Sequence, residues 1–207
     1  MVGAVVLVVA TVLGVNVFTS GGDQPTKAAA DSTLVRADSH RLQTAKDGKV
    51  TLVEFLDFEC ESCRAHYPVV ERLRKEYAGE ITVVARYFPI PSHFNAQRAA
   101  RAVESAAQQG EYEAMYEKMF ETQTQWGEKR VPADATFRGF AEDLGLDMEK
   151  YDKAYDDPAT LKRIQQDVTD GEKLGVQATP TFFLDGERLE AGSYEDFKGA
   201  IDAALEQ

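Results

Sequence analysis

The chain has 207 residues, 43% of them hydrophobic and 28% charged, with a formal net charge of -12. This balance allows one domain of moderate size with an apolar core, and so large an excess of acid argues against a nucleic-acid partner, whose phosphates would be repelled. The only two cysteines, Cys60 and Cys63, lie too close in sequence to staple distant parts of a fold; they either pair with each other or hold a metal.

From Val2 to Phe18 there is no charge, and only Thr11 and Asn16 are polar. As a helix the run would rise about 25 Å, at the short end of what spans a bilayer. Residues 1–19 are therefore read as an N-terminal transmembrane anchor, with a cleaved signal peptide as the rival; the first Ala-x-Ala site after the run, Ala28-Ala29-Ala30, stands well beyond it. Residues 20–45 read as a polar tether made flexible by Gly21, Gly22 and Pro25, ending in an approach segment with Leu34, Val35 and His40.

Val50 to Phe58 is rich in β-branched and aromatic residues and almost continuously apolar, the pattern of a central strand covered on both faces. The cysteines follow directly. Glu61 to Tyr77 changes to helical spacing, with Pro68 expected to kink the helix because it cannot donate to the carbonyl of Arg64. Ile81 to Phe88 is a second strand, so the segment is a βαβ unit with a parallel pair.

The next eighty residues or so are helical in pattern: Asn95–Gln109, Glu111–Thr124, Asp134–Leu146, Met148–Tyr155 and Pro158–Leu174. Trp126 and the stripe Met115, Tyr116, Met119 and Phe120 are assigned to core packing within this insertion. Strand pattern returns at Thr181–Leu184 and Arg188–Ala191 around a turn at Asp185-Gly186, and Ser193 caps a last helix to Leu205. The plan is an α/β core in two parts, 46–92 and 175–207, split by a helical insertion at 93–174.

Cys-x-x-Cys serves zinc ribbons, haem attachment, copper chaperones and redox sites. Structural zinc needs two more ligands, and there is no second cysteine pair. His40, His66 and His93 are the only histidines that could complete a site, His66 the best placed. Covalent haem attachment needs histidine where Arg64 stands. No metal or cofactor is expected. The redox reading explains more: Cys60 falls where a strand becomes a helix, where free N–H groups favour a thiolate, and Cys63 lies one turn further on, able to resolve a mixed disulfide.

Glu54 is a carboxylate in an apolar strand, costly unless paired or protonated. It is expected beneath the cysteines as a proton relay for Cys63, the alternative being an edge residue facing solvent. Ala178-Thr179-Pro180-Thr181 precedes a strand; a cis Thr179–Pro180 bond packed beside Cys60 would let Thr179 and Pro180 pair with an extended substrate, whereas a trans turn would not.

The arrangement F-x-D-F-x-C-x-x-C from Phe55 to Cys63, with Pro68, Arg86–Ile90, His93-Phe-Asn-Ala96 and the late Thr179-Pro180, resembles the DsbA-like branch of the thioredoxin superfamily, in its exported bacterial form. The likeness runs from about Thr51 to Leu205. It implies a thioredoxin-like core with a helical insert, Cys60 as nucleophile, Cys63 as resolving thiol, Pro180 in cis and Glu54 as the buried acid; Phe58 is expected to join Thr179 and Pro180 in contacting substrate. It further implies a monomer outside the cytoplasm that donates disulfides to unfolded exported proteins and is reoxidised by a DsbB-like or VKOR-like membrane partner. A reductase, an isomerase and a copper-handling module remain the alternatives. One departure is that Glu61 and Ser62, not Pro or His, stand between the cysteines. With Glu59 and Glu61 opposing the thiolate, only a modest lowering of the Cys60 pKa is expected.

Overall fold

The structure, a computed structural model, describes residues 33–207. The apolar run at 2–18 read as an anchor, and most of the tether, lie outside the described residues. Among the described residues no helix is long and apolar enough to cross a membrane.

Five strands, β1 (His40–Gln43), β2 (Val50–Leu56), β3 (Ile81–Tyr87), β4 (Thr181–Leu184) and β5 (Glu187–Leu189), form one sheet in the order β1-β3-β2-β4-β5. β2 is parallel to β3, with Glu54 opposite Ala85, and antiparallel to β4, with Glu54 opposite Phe182. β2 is thus paired on both sides, as its unbroken apolar run requires. β1 lies in the segment read as tether and approach. Too short and too polar to announce itself, it pairs antiparallel with β3, and its register shifts between Arg41 and Gln43.

Seven helices complete the described chain: α1 (Glu61–Glu76), α2 (Ala96–Ala107), α3 (Tyr112–Trp126), α4 (Asp134–Asp143), α5 (Met148–Asp156), α6 (Pro158–Lys173) and α7 (Tyr194–Leu205). α1 runs through Pro68 as one element. Asp157 caps α6 through the Ala159 amide, with Pro158 in the first turn, and Ser193 and Asp196 form a reciprocal capping box on α7.

Strand alternation divides the core. Val50, Leu52 and Leu56 join Ile81, Val83, Ala85 and Tyr87 in the larger cluster with α1, α7 and the insertion. Val53 and Phe55 face the other way, with Val84, Phe88, Val176 and Phe183. Met115, Tyr116, Met119 and Phe120 are buried in the larger cluster, and Trp126 stands perpendicular to Phe137 at 4.8 Å, so the stripe is core as read.

On the second face an ionic cluster fastens α6 to β3. Arg86 is fully buried and reaches Asp167 at 2.9 Å and Asp170 at 2.7 Å, while Asp170 also binds Arg36. Gly171 makes the close approach possible: a Cβ there would lie 2.9 Å from the Phe88 ring and 3.1 Å from that of Phe55.

Candidate active site

β2 ends at Leu56, and the loop Asp57–Cys60 delivers the chain into α1 with Cys60 as the N-cap residue. Its sulfur therefore lies at the helix end where amides are free of intrahelical partners. Cys60 and Cys63 are free thiols; Cys60 keeps 9% of its surface and Cys63 none. The Cys60 thiol is lowered to about 5. The Cys63 thiol, hydrogen-bonded to it, is the largest cause, followed among the favourable ones by the Thr179 side chain and then by the Cys63 and Ser62 amides, all against the effect of burial. Burial drives Cys63 the opposite way, well above an ordinary thiol, assisted by the Cys60 hydrogen bond and by the charge of Glu54. One cysteine is poised as a thiolate and its neighbour as a thiol.

This lowering is larger than the sequence predicts, chiefly because of the Cys63 hydrogen bond. The buried carboxylate of Glu59 is itself held by the amides of Asn95 and Glu128, which it accepts. Burial, moreover, raises its pKa and so disfavours its charge.

Glu54 lies in the paired centre of the sheet and is 3% exposed, which excludes the solvent-facing edge alternative. It shares the strand face of Leu52 and Leu56, and no hydrogen bond to its carboxyl is found among the described residues. Burial above all, then the negative charge of Cys60 and Glu71, raises it to about 8. A carboxyl that gains or loses a proton near neutral pH is therefore coupled to both thiols.

The Thr179–Pro180 bond is cis. This loop leads into β4 and brings the Thr179 carbonyl 3.3 Å from Cys60 Sγ. Beside it opens a cleft of about 250 Å³ lined by Ser62, His66, Thr179, Pro180, Phe182 and Leu189. Phe58 is not part of this surface. Its ring is 1% exposed and packs on Tyr87, Tyr116 and Phe120, so it is a core residue, and the expected substrate contact is corrected. The β2–α1 loop turns its side chain inward.

The histidines are separately engaged: His40 with Glu104 and stacked on Tyr112, His66 with the Ser62 carbonyl, and His93 with Asp57. No group of three His, Cys, Asp or Glu that could hold a metal occurs among the described residues. Two features escaped the sequence reading. Gln123, from the insertion, donates to the carbonyls of Phe58 and Cys60; the Asp57–His93 pair flanks the loop from the other side. Asp57 was visible in the F-x-D-F motif, but the fold alone reveals its partner.

A family model described as thioredoxin matches residues 38–203. The chain belongs to the thioredoxin family. Among solved structures, a thioredoxin-like oxidoreductase from Silicibacter pomeroyi is 27% identical with a TM-score of 0.72, covering 86% of this chain and 98% of that one. BdbD from Bacillus subtilis (21% identical, TM-score 0.72, covering 80% and 92%) and α-DsbA1 from Wolbachia pipientis (19%, 0.73, 86% and 96%) share the fold. This thioredoxin-family chain thus has the DsbA-like architecture that the sequence resemblance implied. Curated relatives include the Na(+)/H(+) antiporter NhaA of Herminiimonas arsenicoxydans, 32% identical over 194 residues, and NhaA 1 of Salinispora arenicola, 35% over 174 residues. The matches cover 91% and 83% of this chain but only 30% and 26% of those proteins.

Proposed function

We propose that the chain is a thiol–disulfide oxidoreductase working outside the cytoplasm, where its Cys60–Cys63 disulfide is passed to exported proteins that have not yet folded. One observation carries the reading: the β2–α1 loop sets the partly exposed Cys60 at the start of α1, 3.3 Å from the Thr179 carbonyl, with the buried Cys63 one turn on, an arrangement that lowers the Cys60 thiol and raises that of Cys63. Stabilising the reduced form makes the disulfide a better oxidant.

The exchange balances as follows. A client thiolate attacks Cys60 Sγ, a mixed disulfide forms, and the Cys63 sulfur leaves and takes up a proton, with Glu54 as the group that relays it. A second client thiolate then attacks the client sulfur of the mixed disulfide, and Cys60 leaves as its stabilised thiolate. The client loses two electrons and gains a disulfide; the enzyme gains both electrons as a dithiol. Thr179 and Pro180 support the client's backbone beside Cys60. Reoxidation falls to a membrane partner of the DsbB-like or VKOR-like kind, and the apolar run at 2–18 would keep the two together as an anchor, or direct export if cleaved. The proposal concerns the thioredoxin-family segment and not the ion transport for which the curated relatives are named.

Trapping the two thiols by alkylation in living cells tests the direction. A mostly oxidised pair supports an oxidase. A mostly reduced pair indicates a reductase or isomerase, and metal retained by the reduced protein without disulfide turnover indicates a copper-handling module.

A further inference from the structure

Asp57 and His93 form an ion pair that the exchange scheme above does not use. Asp57 stands three residues before Cys60 in the β2–α1 loop, and its side chain is wholly buried. Oδ1 accepts the Glu59 amide at 2.8 Å, and Oδ2 accepts the Ile90 amide at 2.9 Å. The same Oδ2 meets His93 Nδ1 at 2.6 Å. The Asp57 amide itself donates to Cys63 Sγ at 3.5 Å. One aspartate therefore ties the cysteine loop to the segment between β3 and α2 and fixes the imidazole at the rim, with 26% of the His93 side chain accessible.

A buried carboxylate fixed by two amides is an acceptor that favours a cation as its third partner. His93 responds to its surroundings as a cation would. Its pKa rises to about 9, chiefly through Asp57, and then through the negative charges of Cys60 and Glu59, with burial opposing. The charges acting on it are thus those of Asp57, Cys60 and Glu59, and Asp57 links the two residues directly: its carboxylate holds His93 while its carbonyl accepts the Cys60 amide at 3.1 Å.

We propose that His93, fixed by Asp57, is a positioning residue for thiol exchange: it holds a positive charge beside the Cys60 sulfur and makes that sulfur a better leaving group from a mixed disulfide. The inference rests on Cys60 being the exchanging sulfur. It also assigns a role to a residue outside the Cys-x-x-Cys segment, in a chain that has Glu61 and Ser62 between its cysteines.

Coupling between two titrating groups is reciprocal, so the wild-type protein is the cleanest test. The His93 imidazole is titrated by NMR in the reduced and in the oxidised protein. Reduction supplies the thiolate, and the His93 midpoint should move up by about half a unit, equivalent to a roughly threefold change in proton affinity. The same midpoint in both redox forms overturns the proposal. As a second measurement, His93→Gln, which retains a donor for Asp57, should shift the redox equilibrium with glutathione about threefold towards the oxidised protein, and His93→Lys should restore it. Equal shifts in the two variants, or none in either, overturn it, since a merely structural staple needs no charge. The titration does not depend on client turnover, so a failure here is distinguishable from a failure of Cys60 to exchange.

Discussion

Gln123, in the helical insertion, donates a hydrogen bond to the carbonyl of Cys60 at 2.9 Å across 63 residues of sequence. The same amide nitrogen donates to the Phe58 carbonyl at 2.7 Å, and its oxygen accepts from Arg64 at 3.0 Å. The insertion therefore grips the loop on both sides of the nucleophile. Replacing Gln123 with leucine leaves buried backbone carbonyls without these donors, and a loss of about 1–3 kcal/mol in urea unfolding is expected. Exchange should slow as well, since the Cys60 sulfur is aimed by the loop that loosens.

Glu54 gives a pH dependence with a definite sign. In the unfolded chain its carboxyl ionises near 4.5, and in the fold near 8. Between these values the folded state binds more protons, so wild-type stability falls with rising pH relative to Glu54→Gln. The gap should open from pH 4.5, level off above 8 and reach roughly 5 kcal/mol in denaturant titrations. Glutamine cannot relay a proton, so the same variant should exchange disulfides at least about tenfold more slowly. A variant that gains stability and keeps its full rate would remove Glu54 from the mechanism.

Cys60 acts in the opposite sense. Its pKa is depressed from 9.0 to about 5, so the thiolate's contribution to stability is fully present above 9 and is lost as pH falls through 5. The oxidised protein has no such thiolate. The reduced form should therefore gain stability over the oxidised form as pH rises from 5 towards 9, measured by thermal unfolding of both in the Glu54→Gln background, which removes the carboxyl titrating in the same range. The upward shift of Cys63 acts only above that range.

Arg86 holds the second face of the sheet. It is fully buried, with Asp167 and Asp170 as partners and the Thr33 carbonyl at 2.8 Å. Arg86→Met would leave two buried carboxylates short of a cation, and a loss of about 3–5 kcal/mol in equilibrium unfolding is expected. Arg36 reaches Asp170 from a partly exposed position, so its removal should cost well under half as much.

Much of the scaffold was legible because its signals are local. The β-branched run of β2, the helical spacing after Cys60 and the apolar stripe of α3 each announce an element within a short window, and the elements lie within a few residues of the expected bounds. β1 was not legible, since His40–Gln43 becomes a strand only by pairing with β3. Cys60, Cys63, Glu54 and the Thr179-Pro180 loop stood out because residue type and position conflict with a merely structural role. Phe58 misled for a related reason: proximity to a nucleophile in sequence says nothing of where the ring turns. Gln123 and His93 stayed hidden because each acts on a loop 30 or more residues away, through contacts only the fold creates.

The central claim is that Cys60, not Cys63, is the sulfur that meets the client. Its most direct test is to incubate Cys60→Ser and Cys63→Ser, each alone, with an unfolded client carrying a disulfide and to count covalent adducts by mass. The Cys63→Ser protein should accumulate a stable mixed disulfide through Cys60, while the Cys60→Ser protein, left with a buried and protonated thiol, should form almost none. Adducts through Cys63 at a comparable rate would contradict the account.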